Sequence, residues 1–124
     1  RFVLCFAGDG DFQMNVNEMG TALQAGLNPV ILIINNASYG TIRMHQEREY
    51  PTRVSGTAIV NPDYMAIAAA YGFHGERVTE TGQFADAYQR ACESPTGAIV
   101  EIVTSTEAIS PRTTITALRA AAGK

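Results

Sequence analysis

Strand-length apolar runs alternate with helical segments along this chain, which predicts an α/β fold: an open parallel sheet with helices on both faces. Three observations carry that expectation. First, "FVLCFA", "PVILIINN" and "GAIVEIVT" are apolar and almost uninterrupted, as strands buried on both faces read. Second, the intervening stretches carry helical spacing or helix-end residues. Third, the polar clusters "GDGD" and "NNAS" follow such runs directly, and parallel sheets of this kind bind ligands beyond the carboxyl ends of their strands.

In order, Phe2 to Ala7 reads as a strand buried on both faces and, as the first strand, as an exposed edge open to pairing with another chain, followed by a glycine loop. Met14, Met19, Leu23 and Leu27, with Ala22 and Gly26 alongside, recur at helical spacing and predict one amphipathic helix closed by "GLNP". The β-branched "PVILIINN" is the second strand. Residues 37–60 carry glycines, charges and Pro51 without a sustained period, and read as a short helical turn followed by a long, ordered surface loop. "NPDYMAIAAAYG" predicts a helix with Asn61 as cap, Pro62 in the first turn and Gly72 at the end. A short strand "HGERV", a helix "TGQFADAYQRACES", the strand "GAIVEIVT" and a helical tail from Pro111 to Ala122 complete the chain. No internal repeat stands out.

Composition narrows the function classes. A length of 124 residues with 46% hydrophobic content suits one domain, residues 1–124, with a real core. A net charge of −3 supplies no basic stripe for phosphate neutralisation, which argues against nucleic acid. Runs such as "PVILII" are too short to cross a bilayer, and no secretory pattern is present, so neither membrane nor export is expected. Cys5 and Cys92 fit no metal or redox spacing and read as small buried hydrophobes of a reduced compartment, which points to the cytoplasm. The chain opens on Arg1 and enters a strand at once, so an N-terminally truncated fragment of a longer polypeptide is the expectation.

Asp9 and Asn36 are separated by one helical segment and one strand. A right-handed crossover would set their strand ends side by side, neighbouring strands being about 4.8 Å apart. A carboxylate and an amide oxygen are hard donors that suit Mg²⁺ or Ca²⁺ rather than zinc. Gly8 and Gly10 allow close backbone approach, and a following helix turns its positive end to an anion. The constellation reads as a divalent cation holding a diphosphate. Competing glycine-loop motifs fail on particular residues. "GDGDFQ" lacks the lysine of a Walker loop, and Gln13 stands where a dinucleotide fingerprint needs glycine. An EF-hand starting at Asp9 would need Gly at Met14 and Glu at Gly20.

"GDG" at 8–10 followed after 24 residues by "NN" at 35–36 resembles the thiamine diphosphate motif. With "NNASYG", "NPDYMAIAAAYG" and "GAIVEIVT", the resemblance to the C-terminal cofactor-binding domain of acetolactate synthase, benzaldehyde lyase, pyruvate oxidase and their relatives covers nearly the whole chain. It implies that Asp9, Asn36 and the backbone carbonyl of Ser38 ligate Mg²⁺. It further implies that Gly10 and Asp11, beside Gly8, offer backbone N–H groups to the diphosphate, and that Tyr39 and Gly40 lie over it. The activity implied is decarboxylation or ligation of 2-oxo acids or 2-hydroxyacyl compounds in a homo-oligomer. There the activating glutamate comes from another domain or subunit, so this chain alone would be inactive.

Other readings stand beside this one. A non-catalytic fragment or homologue could keep the fold with the site used for metal only or vestigial. A receiver-like module would need a late lysine, and the only lysine is Lys124. Met14 and Met19 read as core, His45 as solvated, and Gln46 resembles a glutamine that faces the active site in acetolactate synthases. Arg43, Arg48 and Arg53 are open to an anionic substrate, a neighbouring subunit or plain solvent, with Glu47 and Glu49 as their solvated partners.

Overall fold

The computed structural model describes residues 1–122, so Lys124 lies outside the described residues. The chain divides into two compact units, Arg1–Asn35 with Asn61–Val103, and Asn36–Val60 with the chain from Thr104 onward.

The first unit is built on a four-stranded, wholly parallel sheet of β1 (Leu4–Gly8), β2 (Val30–Asn35), β3 (His74–Val78) and β4 (Ala98–Val103), in the order β1-β2-β4-β3. Its helices are α1 (Asp9–Asn15), α2 (Glu18–Gln24), α4 (Tyr64–Ala70) and α5 (Phe84–Glu93), while α3 (Gly40–Glu49) and α6 (Ile115–Ala122) belong to the second unit. Side-chain alternation divides the core in two, because successive strand residues point to opposite faces. Ile31, Ile33 and Ile99 pack with Phe12, Met19, Tyr64 and Ala68 on one face. Val30, Leu32, Ala98 and Val100 pack with Val78, Ala87 and Ala91 on the other. The expected α/β architecture, with helices on both faces, is therefore present. Among the described residues no helix is long and apolar enough to cross a membrane.

Several expectations are corrected. β1 is an edge strand, as expected, but it is not buried on both faces, with Phe6 70% exposed. An apolar run shows what a strand is suited to lie against, and no described residue covers it here. Cys5, on that strand, and Cys92 are both exposed rather than buried. No glycine loop follows β1, since α1 starts at Asp9. The single amphipathic helix is two, because Met19 and Gly20 bond back to Val16 and Asn17, three residues away, and this tighter turn resets the phase. Phe12, Met19 and Ala22 are buried in consequence, while Met14, Leu23 and Leu27 face outward. The "GLNP" closure holds: Gly26 takes a φ of +64°, and Leu27 N–H reaches Ala22 O at 2.8 Å. In α4 the N-cap is Asp63, whose side chain accepts Met65 N–H at 3.0 Å, and Pro62 precedes the cap. Gly72, φ +70°, ends that helix as expected.

The second unit departs furthest from expectation. Over 37–60, where a short helical turn and a long loop were expected, the helix α3 runs for ten residues. Its inward residue is Glu47, 0% exposed and not solvated. Arg119 of α6 holds it bidentately at 2.7 and 2.8 Å, Arg43 Nε donates at 3.0 Å, and Thr52 N–H at 3.1 Å. This arrangement, led by the Arg119 bonds, lowers the Glu47 pKa to about 2 against the opposition of burial. Glu49, by contrast, is an exposed partner of Arg48. The tail helix begins at Ile115, after a turn in which Ser110 pairs with Thr113.

Two predictions follow from the packing. A Cβ at Gly97 would sit 2.5 Å from the buried Phe73 ring, so Gly97→Ala should destabilise the first unit by about 1–3 kcal/mol in urea unfolding. Glu47 is depressed in the folded state, so the stability it contributes is full above its ordinary value of 4.5 and is lost as pH falls toward about 2. Thermal melts across that window should decline more steeply in the wild type than in Arg119→Ala, and equal slopes would contradict the assignment.

Candidate functional site

The residues singled out in the sequence fall into two groups, one in each unit. In the first unit, Gly8 is the extended N-cap of α1, and its N–H donates to Asp11 Oδ2 at 3.2 Å. Asp11 is thus a helix-start residue that fastens the turn. Asp9, one residue past β1, is only 2% exposed. Its Oδ1 accepts the Gly10 N–H at 3.0 Å and its Oδ2 accepts Asn61 Nδ2 at 2.7 Å. Tyr64, fully buried on α4, donates its hydroxyl toward Asn61 Oδ1 at 3.0 Å and Asp9 O at 3.3 Å. Burial, reinforced by the negative charge of Asp9, pushes the Tyr64 pKa up to about 12, so the hydroxyl keeps its proton.

A second carboxylate, Glu101, is buried in the same unit. Asn35, at the end of β2, donates Nδ2 to Glu101 Oε1 at 2.6 Å, and Arg77 Nε reaches Glu101 Oε2 at 2.6 Å. Glu101 therefore has a cationic partner. Asp9 forms no salt bridge with any described residue. Buried charges are ordinarily paired or bound to metal, and Asp9 is a buried carboxylate of this unit with no cationic partner among the described residues.

In the second unit, Asn36, Ser38, Tyr39 and Gly40 surround one turn. Asn36 Oδ1 accepts Ser38 N–H at 3.0 Å, and Ala37 between them takes a φ of +52°, a conformation costly without glycine and frequent at functional turns. Ser38 is buried, with its hydroxyl on Thr57 O at 3.0 Å, and Ser38 and Ala58 form an isolated antiparallel bridge. The flanking bonds, Tyr39 N–H to Thr57 O and Ile59 N–H to Ala37 O, leave the Ser38 carbonyl unused by that pairing. A Cβ at Gly40 would lie 3.0 Å from Asn36 Nδ2, so a side chain there would displace the amide. Tyr39 is partly exposed.

Other candidates are committed elsewhere. Gln46 exchanges two bonds with the Ser55 backbone, at 2.9 and 3.2 Å. His45 is exposed and contacts Arg48, Arg53 lies over the Tyr50 ring, and Arg43 is taken by Glu47. Asn61 is the functional residue that sequence reasoning missed. The available signal was a surplus of caps, since Asn61 and Asp63 straddle Pro62 and a helix uses one.

Chemically, Asp9, Asn36 and the Ser38 carbonyl are oxygen donors of the kind Mg²⁺ takes. Among the described residues no three His, Cys, Asp or Glu side chains are placed to hold a metal by themselves.

Comparison with known proteins identifies the family. Residues 1–102 match the family model described as "Thiamine pyrophosphate enzyme, C-terminal TPP binding domain". The chain is 38% identical over 82 residues to the acetolactate synthase isozyme 2 large subunit of Escherichia coli (strain K12), covering 65% of this chain and 15% of that protein. It is 34% identical over 104 residues to the acetolactate synthase large subunit of Parasynechococcus marenigrum (strain WH8102), covering 82% and 17% respectively. The crystal structure of benzoylformate decarboxylase from Polynucleobacter necessarius superposes with a TM-score of 0.77 at 25% identity, over 86% of this chain and 20% of that one. The chain thus spans well under a fifth of the curated relatives named here, and it belongs to the family of C-terminal thiamine pyrophosphate-binding domains of thiamine pyrophosphate enzymes.

Proposed function

We propose that this chain binds the diphosphate end of thiamine diphosphate through Mg²⁺, as the cofactor-holding part of an acetolactate synthase-like enzyme that decarboxylates or ligates 2-oxo acids. The observation that carries the proposal is the Asp9 carboxylate, buried at the carboxyl end of β1 and provided with hydrogen bonds but no cation. The names of the relatives support the substrate class, since benzoylformate is itself a 2-oxo acid.

Asp9, Asn36 and the Ser38 carbonyl are the proposed protein ligands, leaving the rest of an octahedral Mg²⁺ shell to diphosphate and water oxygens. Gly10 and Asp11 are proposed to meet the diphosphate through their N–H groups, and Tyr39 and Gly40 to wall it. The Gly10 N–H is turned onto Asp9 Oδ1, so in this role it would be shared. When bound, the cofactor supplies an acidic thiazolium carbon that adds to carbonyls as an ylide. The residues of this chain are proposed to hold and orient it. The activating glutamate is proposed to come from another domain or subunit of a homo-oligomer, so the chain alone should not turn over substrate.

Calorimetric titration of thiamine diphosphate into the purified protein should show binding that requires Mg²⁺. Asp9→Ala should weaken it by more than about 100-fold, beyond the range that outer-shell substitutions reach. Binding indifferent to both the metal and the substitution would refute the proposal.

A further inference from the structure

We infer that Asn61 is a positioning residue: its side-chain amide fixes the plane and the free lone pairs of the Asp9 carboxylate for a small divalent cation. This assignment rests on the reading of Asp9 as a Mg²⁺ ligand and extends it to a side chain that touches neither metal nor cofactor.

The argument begins with hydrogen-bond capacity. A primary amide has two N–H donors and an oxygen with two lone pairs. Asn61 uses all four: Nδ2 donates to Asp9 Oδ2 at 2.7 Å and to Asn35 Oδ1 at 2.8 Å, and Oδ1 accepts from Gln13 Nε2 at 2.6 Å and Tyr64 OH at 3.0 Å. A fully satisfied amide between three secondary-structure elements has little freedom to rotate.

Its polarity is fixed as well. Glu101 is an acceptor when ionised and is held by Arg77, so Asn35 must turn Nδ2 toward it and Oδ1 toward Asn61. Asn61 must then present Nδ2 to Asn35, and the same NH₂ group meets Asp9. Carboxylates at both ends of the relay therefore leave one arrangement of the two amides. A flipped Asn61 would set its oxygen against Asp9 Oδ2 and Asn35 Oδ1 and its NH₂ against the Gln13 amide nitrogen.

The two ends differ in charge balance. Glu101 has Arg77, whereas Asp9 is balanced only by the Asn61 and Gly10 N–H groups. Each Asp9 oxygen spends one lone pair on its N–H donor and keeps another. Held on both oxygens, the carboxylate can offer those lone pairs in a set direction. Such orientation matters most for Mg²⁺, which demands near-ideal octahedral geometry at about 2.0–2.1 Å, and less for Ca²⁺, whose shell is longer and more flexible.

The ratio of the two metals therefore separates positioning from mere folding. With thiamine diphosphate saturating, Mg²⁺ and Ca²⁺ would be titrated into the wild type and Asn61→Ala, with far-UV circular dichroism of the metal-free proteins recorded in parallel. The expected result is unchanged secondary structure, Mg²⁺ affinity weakened about 10–100-fold, the range seen when outer-shell partners of metal ligands are removed, and a clearly smaller loss for Ca²⁺. Equal losses for both metals, or no loss for either, would overturn the inference while leaving the Mg²⁺-diphosphate reading intact. A wild type that binds the cofactor without a divalent cation would overturn both. Should Asn61→Ala fail to fold, Gln13→Ala decides by the same ratio, because it removes one of the two donors that hold Asn61 Oδ1 without touching Asp9: a lowered Mg²⁺ preference supports the inference, and an unchanged one overturns it.

Discussion

A carboxylate withdrawn from water and given no cation is the constraint around which the first unit is arranged. Burying a bare charge is prohibitive unless hydrogen bonds or a counter-ion offset the loss of hydration. Here the offset is assembled from three elements of the unit. The end of β1 sets Asp9 in place, the first turn of α1 returns the Gly10 N–H, and the approach to α4 brings Asn61 and Tyr64. Parallel pairing of β1 with β2 puts Gly8 level with Ile34, so Asn35 emerges where Asn61 can bridge it to Asp9. The sheet thus gathers polar groups at its carboxyl end, where a ligand of opposite charge would complete them.

The second unit solves a different problem with similar materials. α3 turns a glutamate inward where an apolar side chain would be usual, and arginines from α3 and α6 neutralise it. Such a network contributes specificity more than net stability, because the cost of desolvating the charges consumes much of their attraction. It ties the helix that follows the Ser38–Gly40 turn to a segment beyond residue 102, where the family match ends.

How much of this was legible in the sequence depended on whether burial followed hydrophobicity. β2 and β4 are apolar and buried, and both were read correctly, as were the left-handed glycines that close α2 and α4. The edge position of β1 was legible, but not its exposure, because its composition suits cover that no described residue provides. Only a helical turn of α3 was legible, because its inward residue is Glu47, and a helix anchored by charge leaves no apolar period to show its length. The break between α1 and α2 rests on two three-residue bonds, with no proline or glycine to announce it. In the candidate site, Asp9 and the "NNAS" turn were legible because motif spacing reports backbone geometry. Asn61 was not, because a hydrogen-bond hub formed across 52 residues of chain has no local signature.

The central claim is that Asp9 meets a metal that also holds a diphosphate. Crystals of the protein grown with thiamine diphosphate and Mn²⁺ in place of Mg²⁺ would test it through the anomalous scattering of the metal. The account predicts one strong peak within coordination distance, about 2.0–2.3 Å, of an Asp9 carboxylate oxygen, with diphosphate density on its far side. A bound cofactor whose metal lies away from Asp9, or that carries no metal at all, would contradict it.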